Sequence, residues 1–289
     1  MDYKIDIICP LYNAEKYIEN LQKSLEKQGY YEKIKNIRYI ITESKDNTEK
    51  LVSQMTNKKI LYKIIKKEDF SHSLTREKEV MESSADIIVF ISQDVKIEKE
   101  NWLEKLVNPI IENIVEASFS RQICTDKNSL EYYTRKKNYP NESIIKTKEC
   151  IEKLGIKAFF YSDAASAIRR DIFIRLNGYD GKILPTNEDM YMAYKLLKND
   201  YKIKYCADSE VVHSHNFTCK ETYDRYKAYG KFLKLEPEVD IKSKNAGGSL
   251  AIFILKEIIK DKNIKLFFKF FVDMGARFIG LKVGKHNGW

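Results

Sequence analysis

The chain has 289 residues, of which 43% are hydrophobic, 12% are aromatic and 32% are charged, with only 11 Gly and 5 Pro. This composition excludes collagen-like, low-complexity and wholly disordered proteins, and the length suffices for one large or two modest domains with a buried core. The net charge of +9 comes mainly from lysines spread along the chain, whereas nucleic-acid readers usually have clustered arginines, so we expect no nucleic-acid partner.

The first part of the chain alternates predicted strands with predicted helices. Apolar runs predict strands at 3–9, 37–42, 60–65 and 87–91, and helical periodicity predicts helices at 14–27, about 51–55, 74–84 and 102–113. Four strand–helix units in succession favour an α/β fold of the doubly wound, Rossmann-like type, with a mixed, mainly parallel sheet covered on both faces. Ligands bind such sheets at the carboxyl ends of the strands, so the loops after residues 9, 42, 65 and 91 are the first candidates for a site.

The rest of the chain alternates less regularly. Strands are predicted at 115–121, 164–168, 202–206 and 210–213, a helical insertion at 128–138 and a helix at 188–198. From about residue 222 the pattern is helical to the end, with a break near 245–248. We therefore expect an α/β domain over residues 1–220, followed by a C-terminal helical region over residues 221–289.

The cysteines and the apolar runs bear on the cellular location. The five cysteines form no CxxC pair and leave one unpaired in any disulfide scheme, and the N-terminus does not resemble a signal peptide. These features predict a reducing, cytoplasmic environment. No apolar run approaches the roughly 20 residues of a membrane-spanning helix, although the basic charge is compatible with a phosphate-bearing substrate or an anionic membrane face.

Two acidic segments could carry chemistry. Asp94 follows the fourth predicted strand, where one carboxylate together with substrate phosphates can hold Mg²⁺, and a turn or helix-capping role is the alternative. Glu188 and Asp189 open a predicted helix, where they are either capping acids or include a general base kept ionised by the helix N-terminus.

Two histidine segments raise similar alternatives. His213 and His215 are two residues apart at the end of a strand, so both side chains lie on one face and suit either a metal site or a polar strand edge. His72 and Arg76 are four residues apart at the start of the third predicted helix. They either reach a phosphate near that helix N-terminus or cap and pair at the surface.

Seven short motifs follow one another over about residues 3–235. They are Cys9-Pro10-Leu11-Tyr12-Asn13, Phe70-Ser71-His72-Ser73-Leu74-Thr75-Arg76, Ile91-Ser92-Gln93-Asp94, Ser120-Arg121-Gln122, Asn138-Tyr139-Pro140, Asn187-Glu188-Asp189-Met190 and Val212-His213-Ser214-His215-Asn216. In type and order they resemble the inverting family-2 glycosyltransferases of the GT-A fold, and among these the bacterial rhamnosyltransferases. Several spaced motifs in one order are far more specific than any one of them alone.

The resemblance implies a function. It implies an inverting, metal-dependent transfer of a sugar, with L-rhamnose from dTDP-rhamnose as the first choice, from a nucleotide-diphospho-sugar to a glycan or lipid-linked acceptor in surface polysaccharide synthesis. One alternative keeps the fold but uses a UDP-hexose or UDP-N-acetylhexosamine donor. The other is a catalytically degenerate, membrane-associated assembly module.

The resemblance also implies roles for individual residues. Asp94, with His213 or His215, would bind Mg²⁺ or Mn²⁺, while Asp189 would be the general base and Glu188 would position the acceptor or the donor sugar. The remaining donor contacts implied in this way, in addition to Asp94, are Pro10, Leu11, Tyr12, Glu43, His72, Arg76, Gln93, Arg121, Gln122 and Asp163.

The sequence departs from the family pattern at three places. The loop after the second strand, at 42–46, is shorter than usual and lacks Gly, and its Glu43 leaves the choice between uridine and thymidine open. Ser92 stands where the first metal-binding acid usually lies, as in the rhamnosyl group. Asp163 follows Ser162 where that group often has Ser-Asn, so the sugar contacts could differ.

The C-terminal helices lie outside the firm part of the resemblance. Residues 249–259 are apolar nearly all round, which predicts a buried or paired helix. Residues 265–285 interleave phenylalanines with Lys and Arg, as in helices that lie on an anionic membrane, here the cytoplasmic face. The alternative is that the phenylalanines dock onto the catalytic domain or a second subunit.

Overall fold

The structure is a computed structural model and describes residues 3–241 and 249–286, so the break predicted near 245–248 lies outside it. The strands are β1 (Ile5–Leu11), β2 (Ile34–Thr42), β3 (Ile60–Ile65), β4 (Ile87–Ile91), β5 (Ala117–Ile123), β6 (Ile144–Lys146), β7 (Ala165–Arg169) and β8 (Ile203–Val212). They form one mixed sheet in the order β3-β2-β1-β4-β7-β5-β8-β6. Strands β7 and β6 run antiparallel to their neighbours, and the other pairings are parallel.

The helices connect these strands and then extend beyond the sheet. They are α1 (Glu15–Glu26), α2 (Thr48–Ser53), α3 (His72–Glu82), α4 (Trp102–Ile111), α5 (Leu130–Asn138), α6 (Glu149–Leu154), α7 (Arg170–Arg175), α8 (Glu188–Lys198), α9 (Cys219–Leu235), α10 (Ser249–Lys260) and α11 (Ile264–His286). The predicted mixed, mainly parallel α/β fold with a C-terminal helical segment is confirmed.

Alternating residues of the central strands fill two cores, one on each face of the sheet. Ile5 and Ile7 of β1 pack with α1 and α4 on one face, whereas Ile8 packs with α3, α7 and α8 on the other. All five residues of β4 are buried, as expected for a strand covered on both faces. The central strands are therefore apolar throughout.

One prediction in the second half was wrong. The two short strands predicted at 202–206 and 210–213 are a single strand, β8, whose pairing with β5 shifts register between Ser120 and Arg121. Ser209 in this bulge is fully buried, and its hydroxyl lies 2.9 Å from that of Ser120. The polar residues of the bulge interrupt the apolar pattern, which is why the sequence indicated a gap.

Three short elements had no counterpart in the prediction: β6, α6 and α7. Each has only three to six residues. Elements of this length contain too few periods for a hydrophobic pattern to define them. Strand β6 pairs antiparallel with β8 at one edge of the sheet, and thus extends the sheet beyond the predicted strands.

The C-terminal helices dock against the α/β part by one face. Ile254 and Ile258 of α10 and Phe270 of α11 form a third core with residues of α5. Helix α9 contributes Phe232 and Leu233 to the second core, so it is continuous with the α/β layers. The division at residue 220 stays a prediction. Within the described ranges, no helix combines the length and apolarity needed to cross a membrane.

Candidate active site

A cavity of about 560 Å³ opens at the sheet edge where β1, β2, β4 and β8 end and β7 begins. This is the edge at which the strand order predicts a ligand site. All but three of the predicted site residues line this cavity. The predicted residues that line it are Pro10, Leu11, Tyr12, His72, Arg76, Gln93, Asp94, Asp163, Glu188, Asp189, His213 and His215. The topology thus gathers residues that lie up to 205 positions apart in the chain, from Pro10 to His215.

One part of the cavity lining is aromatic and partly apolar. Gln93 accepts a hydrogen bond from the Tyr12 backbone N–H at 2.7 Å and donates one to the Tyr12 carbonyl at 3.0 Å, which joins the loops after β1 and β4. Lys67 lies 5.7 Å from the centre of the Tyr12 ring, and Phe70 lies edge-on to His72. Aromatic rings beside a cation form a suitable surface for a nucleoside and its phosphates.

Another part of the lining is a cluster of one carboxylate and two imidazoles. Nε2 of His213 lies 3.4 Å from one carboxylate oxygen of Asp94, and Nε2 of His215 lies 3.5 Å from the other. One ligand atom from each residue lies within 4.8 Å of the others, so a single cation could contact all three. Burial alone would raise the pKa of Asp94, but the hydrogen bond from His213 and the charges of both histidines lower it.

Gln122 lies beneath this cluster and determines which nitrogen of His213 is free. Arg135 donates a hydrogen bond of 2.5 Å to Oε1 of Gln122, and a guanidinium can only donate, so the atom that faces it must be the amide oxygen. The same oxygen lies 2.9 Å from Nδ1 of His213, which must therefore carry the proton. A ring that also carries a proton on Nε2 donates it to Asp94. In the neutral ring with its proton on Nδ1, Nε2 instead has the lone pair that a metal ligand requires.

A second charged cluster forms another part of the cavity wall. Glu188 accepts a hydrogen bond of 3.0 Å from Arg76, and both side chains are less than a tenth exposed. Asp163 is buried and accepts hydrogen bonds from Ser166 at 2.6 Å and from Tyr179 at 3.1 Å. Arg76 thus holds the carboxyl of Glu188 in place, and the two hydroxyl donors hold the carboxyl of Asp163.

Asp189, the third carboxyl, forms no ion pair within residues 3–241 and 249–286 and stays partly accessible from the cavity. It accepts hydrogen bonds from backbone N–H groups, of Met190 at 2.7 Å and of Asp163 at 3.4 Å. Burial, followed by the negative charges of Glu188 and Asp163, raises the pKa of Asp189 well above its ordinary value. Burial also raises the pKa of Asp163 to about 6, against the effect of Arg76.

The comparison with protein families agrees with this geometry. Residues 6–176, more than half of the chain, match the family described as glycosyl transferase family 2. The chain belongs to glycosyltransferase family 2. The cavity at the sheet edge is therefore the candidate active site of a glycosyltransferase.

Two relatives are similar to this glycosyltransferase over nearly its whole length. The O-antigen chain rhamnosyltransferase RfbN of Salmonella typhimurium strain LT2 is 35% identical over 98% of this chain and 90% of its own. The O-antigen chain rhamnosyltransferase WbaN of Salmonella anatum is 32% identical over 97% of this chain and 89% of its own.

Solved structures show the same fold at low sequence identity. The mannosyltransferase PcManGT from Pyrobaculum calidifontis, in complex with GDP-Man and Mn²⁺, superposes with a TM-score of 0.64 at 16% identity, over 98% of this chain and 87% of its own. S. aureus TarS in complex with UDP-GlcNAc gives a TM-score of 0.57 at 16% identity, over 98% of this chain and 90% of its own. The predicted GT-A fold is confirmed.

Three predicted residues do not line the cavity of this glycosyltransferase. Glu43 is exposed on the loop after β2. Arg121 pairs with Glu210 at 3.1 Å across β5 and β8. Gln122 is buried, and its amide oxygen lies 2.9 Å from Nδ1 of His213.

The cavity is also lined by residues for which the sequence predicted no role, among them Lys67, Phe70 and Arg225. Phe70 is the first residue of the Phe-x-His-x-x-x-Arg motif, so the motif itself could have indicated it. Lys67 and Arg225 are among the many basic residues of the chain and had no distinguishing pattern.

Proposed function

We propose that this protein is an inverting, metal-dependent rhamnosyltransferase that moves L-rhamnose from dTDP-rhamnose to a glycan or lipid-linked acceptor in surface polysaccharide synthesis. The observation that carries this proposal is the placement of the Asp94–His213–His215 cluster and the Asp189 carboxyl in one cavity. The names of the two relatives, both O-antigen chain rhamnosyltransferases, support the donor sugar and the class of acceptor.

The donor set at Asp94, one carboxylate and two imidazoles, suits a divalent cation that accepts both oxygen and nitrogen ligands. Mg²⁺ prefers oxygen ligands and rarely takes imidazole, whereas Mn²⁺ accepts carboxylate and imidazole together. We therefore favour Mn²⁺ over Mg²⁺, held by Asp94, His213 and His215. A bound cation would act as a Lewis acid and neutralise charge on the departing diphosphate.

Asp189 is the best-placed general base. The raised pKa of its carboxyl makes the ionised form a stronger proton acceptor than an exposed aspartate. In the proposed step, the acceptor hydroxyl gives its proton to Asp189 while its oxygen bonds to the anomeric carbon of the donor. The bond from that carbon to the diphosphate oxygen breaks with its electron pair, and attack from the opposite side inverts the anomeric configuration.

Glu188 and Arg76 line the same cavity as Asp189. Because Arg76 also donates a hydrogen bond of 3.0 Å to the His72 carbonyl, it ties α8 to the start of α3. The pair therefore fixes the first turn of α8, which carries Asp189. We assign Glu188 to positioning and Asp189 to proton transfer.

An anionic membrane surface is the proposed location of the acceptor. The outer face of α10 and α11 exposes more than half of each of eight apolar side chains: Ile252, Ile259, Ile264, Phe268, Phe271, Val272, Phe278 and Ile279. Exposed lysines flank them on the same helices, at Lys256, Lys260, Lys265 and Lys282. An apolar face bordered by lysines complements a surface with acyl chains below anionic headgroups.

Nucleotide binding tests the proposed function directly. The unfolding temperature would be measured with dTDP, UDP, GDP and CDP, each with Mn²⁺ and with a chelator. We expect dTDP to raise the unfolding temperature, because a ligand that binds only the folded protein stabilises it by mass action. We expect this effect only in the presence of Mn²⁺. A response to UDP instead would replace the donor, and no response to any nucleotide would favour the degenerate assembly module.

A further inference from the structure

Arg225 is a cation in the active-site cavity that lies outside all the motifs that carry the family resemblance. It lies in the second turn of α9 and lines the cavity together with Asp94, His215 and Asp189. Its guanidinium lies 4.4 Å from the centre of the Phe217 ring, and the same ring stacks on His215 at 4.9 Å. Phe217 thus joins the guanidinium to the proposed metal site.

The guanidinium of Arg225 contacts the Phe217 ring but has no ion-pair partner among the described residues. Over residues 3–241 and 249–286, no group forms a hydrogen bond or an ion pair with its guanidinium, and the side chain is exposed to the cavity. Arg76, the other arginine of the cavity, is paired with Glu188 and is almost fully buried. Of the two arginines, only Arg225 is therefore available to a ligand.

The surroundings favour an anionic partner for Arg225. Desolvation in the cleft lowers the pKa of Arg225 from its ordinary value, so an anion would relieve the cost of holding this charge there. Helix α11 holds the same stretch of α9 in place. Thr222 donates to Asp273 at 3.1 Å, and Tyr226 accepts from Arg277 at 2.9 Å.

We propose that Arg225 binds the diphosphate of the nucleotide-sugar, on the His215 side of the cavity. This inference rests on the proposed function. A guanidinium matches phosphate oxygens with two parallel N–H donors, and its charge would stabilise the negative charge that accumulates when the sugar–phosphate bond breaks. The metal cluster and Arg225 would then supply the positive charge around the diphosphate. These groups come from different elements of the fold.

The test compares diphosphate with monophosphate binding in the full chain. Calorimetric titrations with dTDP and dTMP in Mn²⁺ would be run on the wild type, Arg225→Gln and Arg225→Lys, with UDP and UMP instead if the wild type prefers uridine. We expect Arg225→Gln to bind the diphosphate about tenfold or more weakly, with the monophosphate changed by less than about twofold. Arg225→Lys keeps the charge without the two parallel donors. Its diphosphate affinity should therefore lie between those of the wild type and Arg225→Gln.

Lys220→Gln is the matched control, because it removes one positive charge from the exposed first turn of the same helix, outside the cavity. It should leave both affinities unchanged, and thermal unfolding would verify that every variant is folded. A diphosphate affinity of Arg225→Gln within about twofold of wild type would overturn the inference while leaving the proposed function intact. Failure of the wild type to bind any nucleoside diphosphate would overturn the proposed function and the inference with it.

Discussion

Oε1 of Gln122 accepts a hydrogen bond of 2.9 Å from Nδ1 of His213, and the opposite nitrogen of that ring faces Asp94. Gln122 therefore fixes the tautomer and the orientation of a proposed metal ligand, although it is not itself one of the proposed ligands. Removing such an outer partner typically lowers metal affinity by about 10- to 100-fold. We expect this loss in Gln122→Leu, measured by titrating Mn²⁺ in the presence of nucleotide.

Gln122→Glu separates this positioning role from general damage to the core. A glutamate keeps an oxygen that accepts from both Arg135 and His213, so we expect it to retain Mn²⁺ affinity within a few fold. If Gln122→Leu binds Mn²⁺ as tightly as the wild type, the assignment of the His213 tautomer to Gln122 is wrong.

Asp189→Asn is the direct test of the general base. An asparagine keeps the shape of the side chain and the acceptor for the Met190 N–H but cannot take up a proton. We expect transfer to fall by about 10²-fold or more, because general base catalysis contributes that much, with donor affinity nearly unchanged. Glu188→Gln serves as the comparison variant. Transfer by Asp189→Asn at a tenth of the wild-type rate or faster would refute the assignment of Asp189 as the general base.

The carboxyl groups of Asp163, Glu188 and Asp189 predict that sugar transfer loses activity at an unusually high pH on the acidic side of its pH profile. A base acts only when ionised, and the pKa of Asp189 lies well above its ordinary value of 3.8 because of burial, Glu188 and Asp163. Transfer should therefore decline as the pH falls through a range well above 4. Asp163→Asn removes one of the negative charges and should move this limb of kcat/KM to lower pH. A limb near pH 4 in the wild type, or an upward shift in the variant, would contradict this account.

The sequence defines best the elements whose apolar residues are continuous or regularly spaced. Strand β4 and helix α8 have the predicted bounds, 87–91 and 188–198. The order of strand ends also led to the correct edge of the sheet, because parallel strands must place their carboxyl ends together.

Other features depend on contacts that no local pattern encodes. Periodicity indicates that Arg121 and Gln122 point to opposite faces of β5. It does not show that Arg121 pairs with Glu210 or that Gln122 is buried against His213. The availability of Arg225 depends on the path of the chain past Phe217 into α9. Such relationships appear only when distant segments are placed together.

Membrane contact through the outer face of α10 and α11 can be tested with lipid vesicles. Phe268 and Phe278 are 67% and 66% exposed on α11. We expect the double variant Phe268→Gln/Phe278→Gln to bind anionic vesicles about tenfold or more weakly, because each ring would otherwise leave water for the acyl region.

The control for this prediction is Ile183→Gln, since Ile183 is 74% exposed but lies on the segment before α8. Its binding to vesicles should equal that of the wild type. The same measurement with uncharged vesicles should show weaker binding of the wild type, because the flanking lysines would lose their anionic partner. Equal binding by the double variant and the control would exclude this face as the contact.

Helices α9 and α11 approach so closely that only glycine fits between them. A Cβ atom on Gly284 would overlap the carbonyl oxygen of Lys227 and the Cα of Gly230, whereas a Cβ on Gly275 of the same helix has no neighbour within 4 Å. Gly284→Ala should therefore lower the free energy of unfolding by about 1–3 kcal/mol through overpacking. Gly275→Ala should raise it by about 0.5–1 kcal/mol, because alanine favours the helix. Denaturant unfolding of the two variants measures both effects, and equal stabilities would show that the helices are not held at this distance in solution.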